Sequence, residues 1–225
     1  SQTINHNLGS VPGMIIVKAT NSAKNWEVFH RSLGNTKALF LNLTSAENTG
    51  TGHWNDTDPT STDFTVGSFS NVNENGTTYV AYLFAHDAQD FGEDSDEAII
   101  KCGSFTTTST WGNFKEDLGF EPQWLMVKRT DSTSDWMMLD MMRGVTGEGD
   151  QALVDTGMFG SGSDDQELKA NSSNAESTQG RGGFYSRGYL GNLGGIANAT
   201  YIYVAIRRPH KPASEFAATD LFKVS

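Results

Sequence analysis

A chain of 225 residues with 24 Gly, 5 Pro and abundant Ser, Thr, Asn and Asp has room for one large domain or two small ones, built from short apolar runs between many turns. Its 16 Lys plus Arg against 27 Asp plus Glu give a net charge of -11, which supplies no basic patch for phosphates and excludes a nucleic-acid binder. No apolar run reaches the ~18 residues of a membrane-spanning helix, and the single Cys102 excludes an intrachain disulfide.

In chain order, Ser1-Gln2-Thr3-Ile4 lacks the charged and apolar regions of a signal peptide and reads as a cut inside a longer chain. Leu8-Gly9-Ser10-Val11-Pro12 is a turn that leads into a strand, with Pro12 at the strand start, where its missing N–H does least harm. Met14 to Val17 is apolar on both alternating sets, the pattern of a strand covered on both faces. Lys18, like Lys128 in the later copy, marks the exit toward solvent, Thr20-Asn21-Ser22 is a turn, and Trp26 to Phe29 is a second strand that forms an antiparallel hairpin with the first. Ala38 to Leu43 and Phe64 to Gly67 read as strands three and four. Asn75-Gly76 is a hairpin-turn signal, because both residues tolerate positive φ, and Tyr79 to Phe84 is a closing strand. Asp87 to Glu97 is an acidic linker, with room for a helical turn from Phe91 to Glu97. Ala98 to Phe105 is a lone strand that carries Cys102 as a buried, inert thiol, and Thr106 to Thr110 is a second linker.

The chain then repeats itself. Leu8 to Lys18 returns as Leu118-Gly119-Phe120-Glu121-Pro122-Gln123-Trp124-Leu125-Met126-Val127-Lys128. Thr20, Ser22, Trp26 and Gly34 recur as Thr130, Ser132, Trp136 and Gly144 at the same spacing of 110. Thr78 to Tyr82 returns as Thr200 to Val204 at a spacing of 122, so the second copy carries about a dozen extra residues. Those fall in a Gly, Ser, Asp and Asn-rich segment from Val145 to Gly195, with room for one helical turn from Asp165 to Lys169. The expected fold is therefore all-β, an antiparallel sandwich-like arrangement of two internally repeated halves, one over residues 1–97 and one over residues 98–225.

Chemistry is sparse. There is no His-Glu-x-x-His, no Gly-x-Ser-x-Gly and no phosphate loop, and His6, His30, His53, His86 and His210 stand singly. The expectation is a protein that is not an enzyme, with no catalytic residue, metal or cofactor. Asp94-Ser95-Asp96-Glu97 reads as solvated linker before calcium site, and Asn71 to Gly76 lacks the Glu that closes a calcium loop. Trp26, Trp124 and Trp136 occupy repeat positions and read as core. Trp54 and Trp111 have no repeat partner and stand in loop contexts, and Arg181 to Tyr189 alternates arginine with aromatic residues on a Gly-rich loop. Aromatic rings suit the CH faces of pyranoses, so Trp54, Trp111, Arg181, Tyr185, Arg187 and Tyr189 form the candidate glycan-binding set. The competing reading has the aromatics of that loop cap the sheet of the second half.

Several strings together resemble a repeat of large virion structural proteins of marine tailed phages, including those infecting cyanobacteria and Pelagibacter. They are Leu8 to Lys18, Trp26 to Gly34, Trp54-Asn55-Asp56-Thr57-Asp58-Pro59-Thr60-Ser61, Ile100 to Phe105 followed by Gly119 to Trp124, and Tyr201 to Pro209. The resemblance runs from about Ile4 to Pro209. It implies a virion protein made in the bacterial host cytoplasm: a tail-fibre or tail-associated adhesion module, or a capsid-decorating one. Its implied partners are other copies of itself as a homo-oligomer, sister virion proteins and a host-surface glycan, with no nucleic acid and no membrane insertion.

Overall fold

The computed structural model describes residues 1–86, 99–108, 114–118, 120, 122–140, 183–186 and 197–207. It is nearly all-β and antiparallel. The first half supplies β1 (Gln2–Asn5), β2 (Pro12–Ala19), β3 (Glu27–His30), β4 (Lys37–Phe40), β5 (Asn48–Thr49), one helical turn α1 (Thr51–Trp54), β6 (Asp63–Val66) and β7 (Tyr79–Ala85). After it come β8 (Ile100–Thr106), β9 (Phe114–Asp117), β10 (Pro122–Arg129), β11 (Trp136–Asp140), β12 (Gly183–Ser186) and β13 (Thr200–Arg207). The helical turns expected within 91–97 and 165–169 lie outside the described residues.

Two sheets dominate. Sheet one has the order β5-β4-β3-β2-β7 and sheet two the order β11-β10-β13-β8. The strand expected to stand alone, β8, is thus the partner of β13. The registers of the two sheets follow the sequence spacings. Met14 faces His30 as Trp124 faces Asp140, with both partners moved on by 110. Ile15 faces Leu83 as Leu125 faces Ala205, moved on by 110 and 122. Even the register irregularity recurs, between Pro12 and Met14 and between Pro122 and Trp124. Proline cannot donate to the ladder, so a local break at each is its physical consequence.

The pairing plan reaches beyond the strings visible in sequence. β1 pairs with β6, and β9 pairs with β12. In each case a strand preceding the Pro-led strand meets one preceding the closing strand. The β1–β6 ribbon and α1 cover the outer face of sheet one through Ile4, Phe64, Val66 and Trp54, packed on Ile15, Val17 and Phe29. Leu118 and Phe120 cover the outer face of sheet two, on Leu125, Val127 and Tyr201. The inner faces meet in one layer that joins Met14, Ile16 and Val28 to Met126, Ile202 and Val204. Each Pro-led strand therefore lies between two apolar layers, which is why both of its alternating sets are apolar. Removing each such aliphatic side chain from water contributes about 1.5–3 kcal/mol.

Three expectations need correcting. Asn75-Gly76 does form a turn, closed by the Thr77 N–H donating to the carbonyl of Glu74 across 3.1 Å. Of the two residues only Gly76 has positive φ, and the strand that follows pairs with β2, so the turn joins no hairpin. Lys128 does not exit toward solvent. It is fully buried, and its Nζ donates to the carbonyls of Arg129 (2.7 Å) and Thr44 (3.3 Å). Burial lowers its pKa to about 8. Its counterpart Lys18 is half-buried over the Trp26 ring. The difference is the loop over residues 41–47, which leaves sheet one and crosses to the β10–β11 turn. There the N–H of Ser134 donates to Thr44 and that of Glu47 to Thr130, each across 2.8 Å. The third correction is Gly183–Ser186, expected as loop and observed as strand.

At the opposite corner the sheets touch. His30 Nε2 donates to the carbonyl of Tyr203 (3.0 Å), and the Cys102 N–H donates to His86 Nδ1 (3.0 Å). Gly13 fits against them only because it lacks a side chain. A Cβ there would lie 2.6 Å from the Cβ of His86 and 2.7 Å from the Sγ of Cys102. Gly13→Ala is expected to cost about 1–3 kcal/mol as overpacking, read as a lowered Tm. An unchanged Tm would show that the sheets are not in contact at this corner.

Candidate functional site

Trp54 is not available to a ligand. It is 1% exposed, its Nε1–H donates to the carbonyl of Lys37 (3.0 Å), and its ring meets Phe29 edge to face at 5.6 Å. The apolar run of sheet one needs a cover, and α1 delivers this indole to it. Tyr185 lies on β12, where its backbone pairs with Lys115. Trp111, Arg181, Arg187 and Tyr189 lie outside the described residues, so the expected glycan-binding set is not brought together among the described ones.

Beside Trp54 is a buried polar group. His53 Nδ1 donates to Oε1 of Glu27 across 2.5 Å, and its Nε2 faces Oδ1 of Asn48 at 2.9 Å. Glu27 and His53 are both essentially without exposure, and Oε2 of Glu27 has no partner among the described residues. Phe69 closes the outer side, edge-on to the His53 ring at 4.7 Å. The ring nitrogens and one carboxylate oxygen are thus committed to joining β3, α1 and β5, which is a packing role.

Among the described residues, two openings lie between the sheets. The larger, of about 620 Å³, is an apolar groove where the sheets diverge. Phe84, Trp124, Met126, Trp136 and Met138 line it, with Leu41 from the crossing loop. Trp136 is anchored by its Nε1–H on the carbonyl of Phe40 (2.9 Å). The repeat tryptophans Trp26, Trp124 and Trp136 all pack against the inter-sheet layer, as their matched positions suggest.

The smaller opening, of about 220 Å³, is polar. Sheet one and its loops contribute Ser32, Lys37 and Glu47, and sheet two contributes Ser104, Asp131 and Thr200. Leu33 and Ile202 form its apolar part. Lys37 and Glu47 form an ion pair at 2.5 Å. Arg129 grips Asp131 through Nε (2.6 Å) and Nη2 (3.2 Å), and its guanidinium holds the Asp131 carboxyl below the usual carboxylate range. Asp131 is therefore an ionised acceptor at neutral pH. Thr130 donates its hydroxyl to the carbonyl of Thr200 (3.3 Å) and steadies this wall. Among the described residues, no hydrogen bond engages the hydroxyls of Ser32, Ser104 and Thr200. Sequence reasoning missed this cluster. Ser, Thr, Lys and Asp in turns are ordinary surface residues, and only the meeting of the halves brings Ser32 to Thr200.

A family described as Domain of unknown function (DUF7483) matches residues 1–208. No curated protein matches the chain. No solved structure matches it.

Proposed function

The chain belongs to this family, DUF7483, and we propose that it is a non-enzymatic structural module of a tailed-phage virion, acting in tail-associated adhesion and assembly. One observation carries the reading furthest: two sheets with the same register are laid face to face around a single apolar layer. Such a body is a rigid presenting scaffold. Among the described residues, the buried groups Glu27, His30, His53 and Lys128 bond to other elements of the fold. The virion assignment comes from the sequence strings and their resemblance to phage repeats, and the acidic surface suits a particle protein held at high local concentration.

Quantitative mass spectrometry of gradient-purified particles checks it. The chain is expected at a constant ratio to the major structural proteins, and its absence from particles would sink the reading. Within the same class, capsid decoration is the rival to a tail position. A carbohydrate-binding module is the second reading, favoured by the polar cavity at the meeting of the two halves.

A further inference from the structure

We propose that this inter-sheet cavity binds one saccharide residue, the terminal or side-chain sugar of a surface glycan. The proposal deepens the adhesion reading and rests on it for its biological meaning. Three features of the cavity carry it.

The first is chemical complementarity. A sugar hydroxyl both donates and accepts, so it is best met by groups of both kinds side by side. The wall offers hydroxyls on Ser32, Ser104 and Thr200, which do both, carboxylates on Glu47 and Asp131, which accept, and the ammonium of Lys37, which donates. Leu33, half-buried, adds a small apolar surface suited to the CH face of a pyranose, with the buried Ile202 behind it. An apolar ligand would strand these polar groups at a cost of about 1–3 kcal/mol each.

The second is preorganisation. The acceptors are held before any ligand arrives: Glu47 by Lys37, and Asp131 by the two-pronged contact from Arg129. The Glu47 N–H is in turn fixed to Thr130 of the other sheet (2.8 Å), so the two walls are tied together. Little ordering remains to be supplied on binding, which favours even a small ligand.

The third is size. About 220 Å³ falls below the ~300 Å³ at which drug-sized ligands are accommodated, and has room for one small sugar residue.

Saturation-transfer-difference NMR on the full chain tests this, using D-glucose, D-galactose, D-mannose and N-acetyl-D-glucosamine as probes. At least one is expected to give saturable transfer. Ser104→Val, which keeps a strand-compatible side chain on β8 and deletes one hydroxyl, is expected to weaken it about tenfold, the loss of one good hydrogen bond. Ser32→Trp, on an exposed turn, is expected to block it by filling the mouth. Met138→Ala in the apolar groove is expected to leave single-sugar binding unchanged. Absence of transfer from all four sugars, or transfer that survives Ser32→Trp undiminished, would overturn the site. Neither result bears on whether the chain is in the particle, which the mass spectrometry decides separately.

Discussion

Glu27→Ala is expected to cost about 3–5 kcal/mol, the penalty for removing one partner of a buried pair. The carboxylate is without exposure on β3 and receives the His53 Nδ1–H across 2.5 Å. Truncation strands that N–H in the interior and leaves a void where the carboxylate met His53. The same contact ties α1 to sheet one, and α1 delivers Trp54 to the outer layer. The loss should therefore spread beyond the pair: near-ultraviolet circular dichroism should show loosened aromatic packing along with a lower denaturation midpoint. Glu27→Gln, which keeps the volume and an acceptor, should cost less. Equal stability of Glu27→Ala and the parent would show that the pair does not hold α1.

Acid should weaken the fold by about 3 kcal/mol over a defined window. Burial, with the nearby charges of His86 and Arg31 adding to it, lowers the pKa of His30 from 6.5 to about 4. The folded state therefore holds this imidazole neutral, its Nε2–H on the Tyr203 carbonyl and its Nδ1 accepting from Ser32. The unfolded chain takes up a proton first. The contribution of His30 is thus fully present above pH 6.5 and is lost as pH falls from 6.5 to about 4, at about 1.4 kcal/mol per pH unit. Asp131 and Glu74, whose carboxyls lie below their ordinary range through Arg129 and Lys24, respond in more acid solution. Urea denaturation at pH 7, 6, 5 and 4 measures the slope. His30→Gln should be less stable at pH 7 and nearly flat across the window. A parent slope that His30→Gln leaves unchanged would assign the acid sensitivity elsewhere.

Much of the fold was legible in the sequence, and the reason is periodicity. Met14 to Val17 and Trp124 to Val127 announce doubly covered strands, and the spacings 110 and 122 anticipate the registers of both sheets. β1 and β9 were not legible: Gln2–Asn5 and Phe114–Asp117 are short and carry too few apolar residues to show alternation. Nor was β12, where Gly183 and Ser186 look like loop residues until a partner strand is present. The site was hardly legible at all. Trp54 resembled an exposed loop aromatic because its helical turn is four residues long and its cover is remote in sequence. Lys128 copies the exit position of Lys18, and its burial depends on the crossing loop near Thr44, which is 84 positions away. The cavity residues Ser32, Ser104 and Thr200 carry no local signal, since their proximity exists only across the two sheets.

The measurement that addresses the central claim most directly is immunogold electron microscopy of intact phage particles, using an antibody to this chain. The account predicts gold on fibres or at the tail tip, where a rigid sandwich with a sugar-sized cavity would meet the host surface. Gold spread over the head would make the chain a decoration protein and remove the attachment role, and particles without gold would contradict the virion assignment itself.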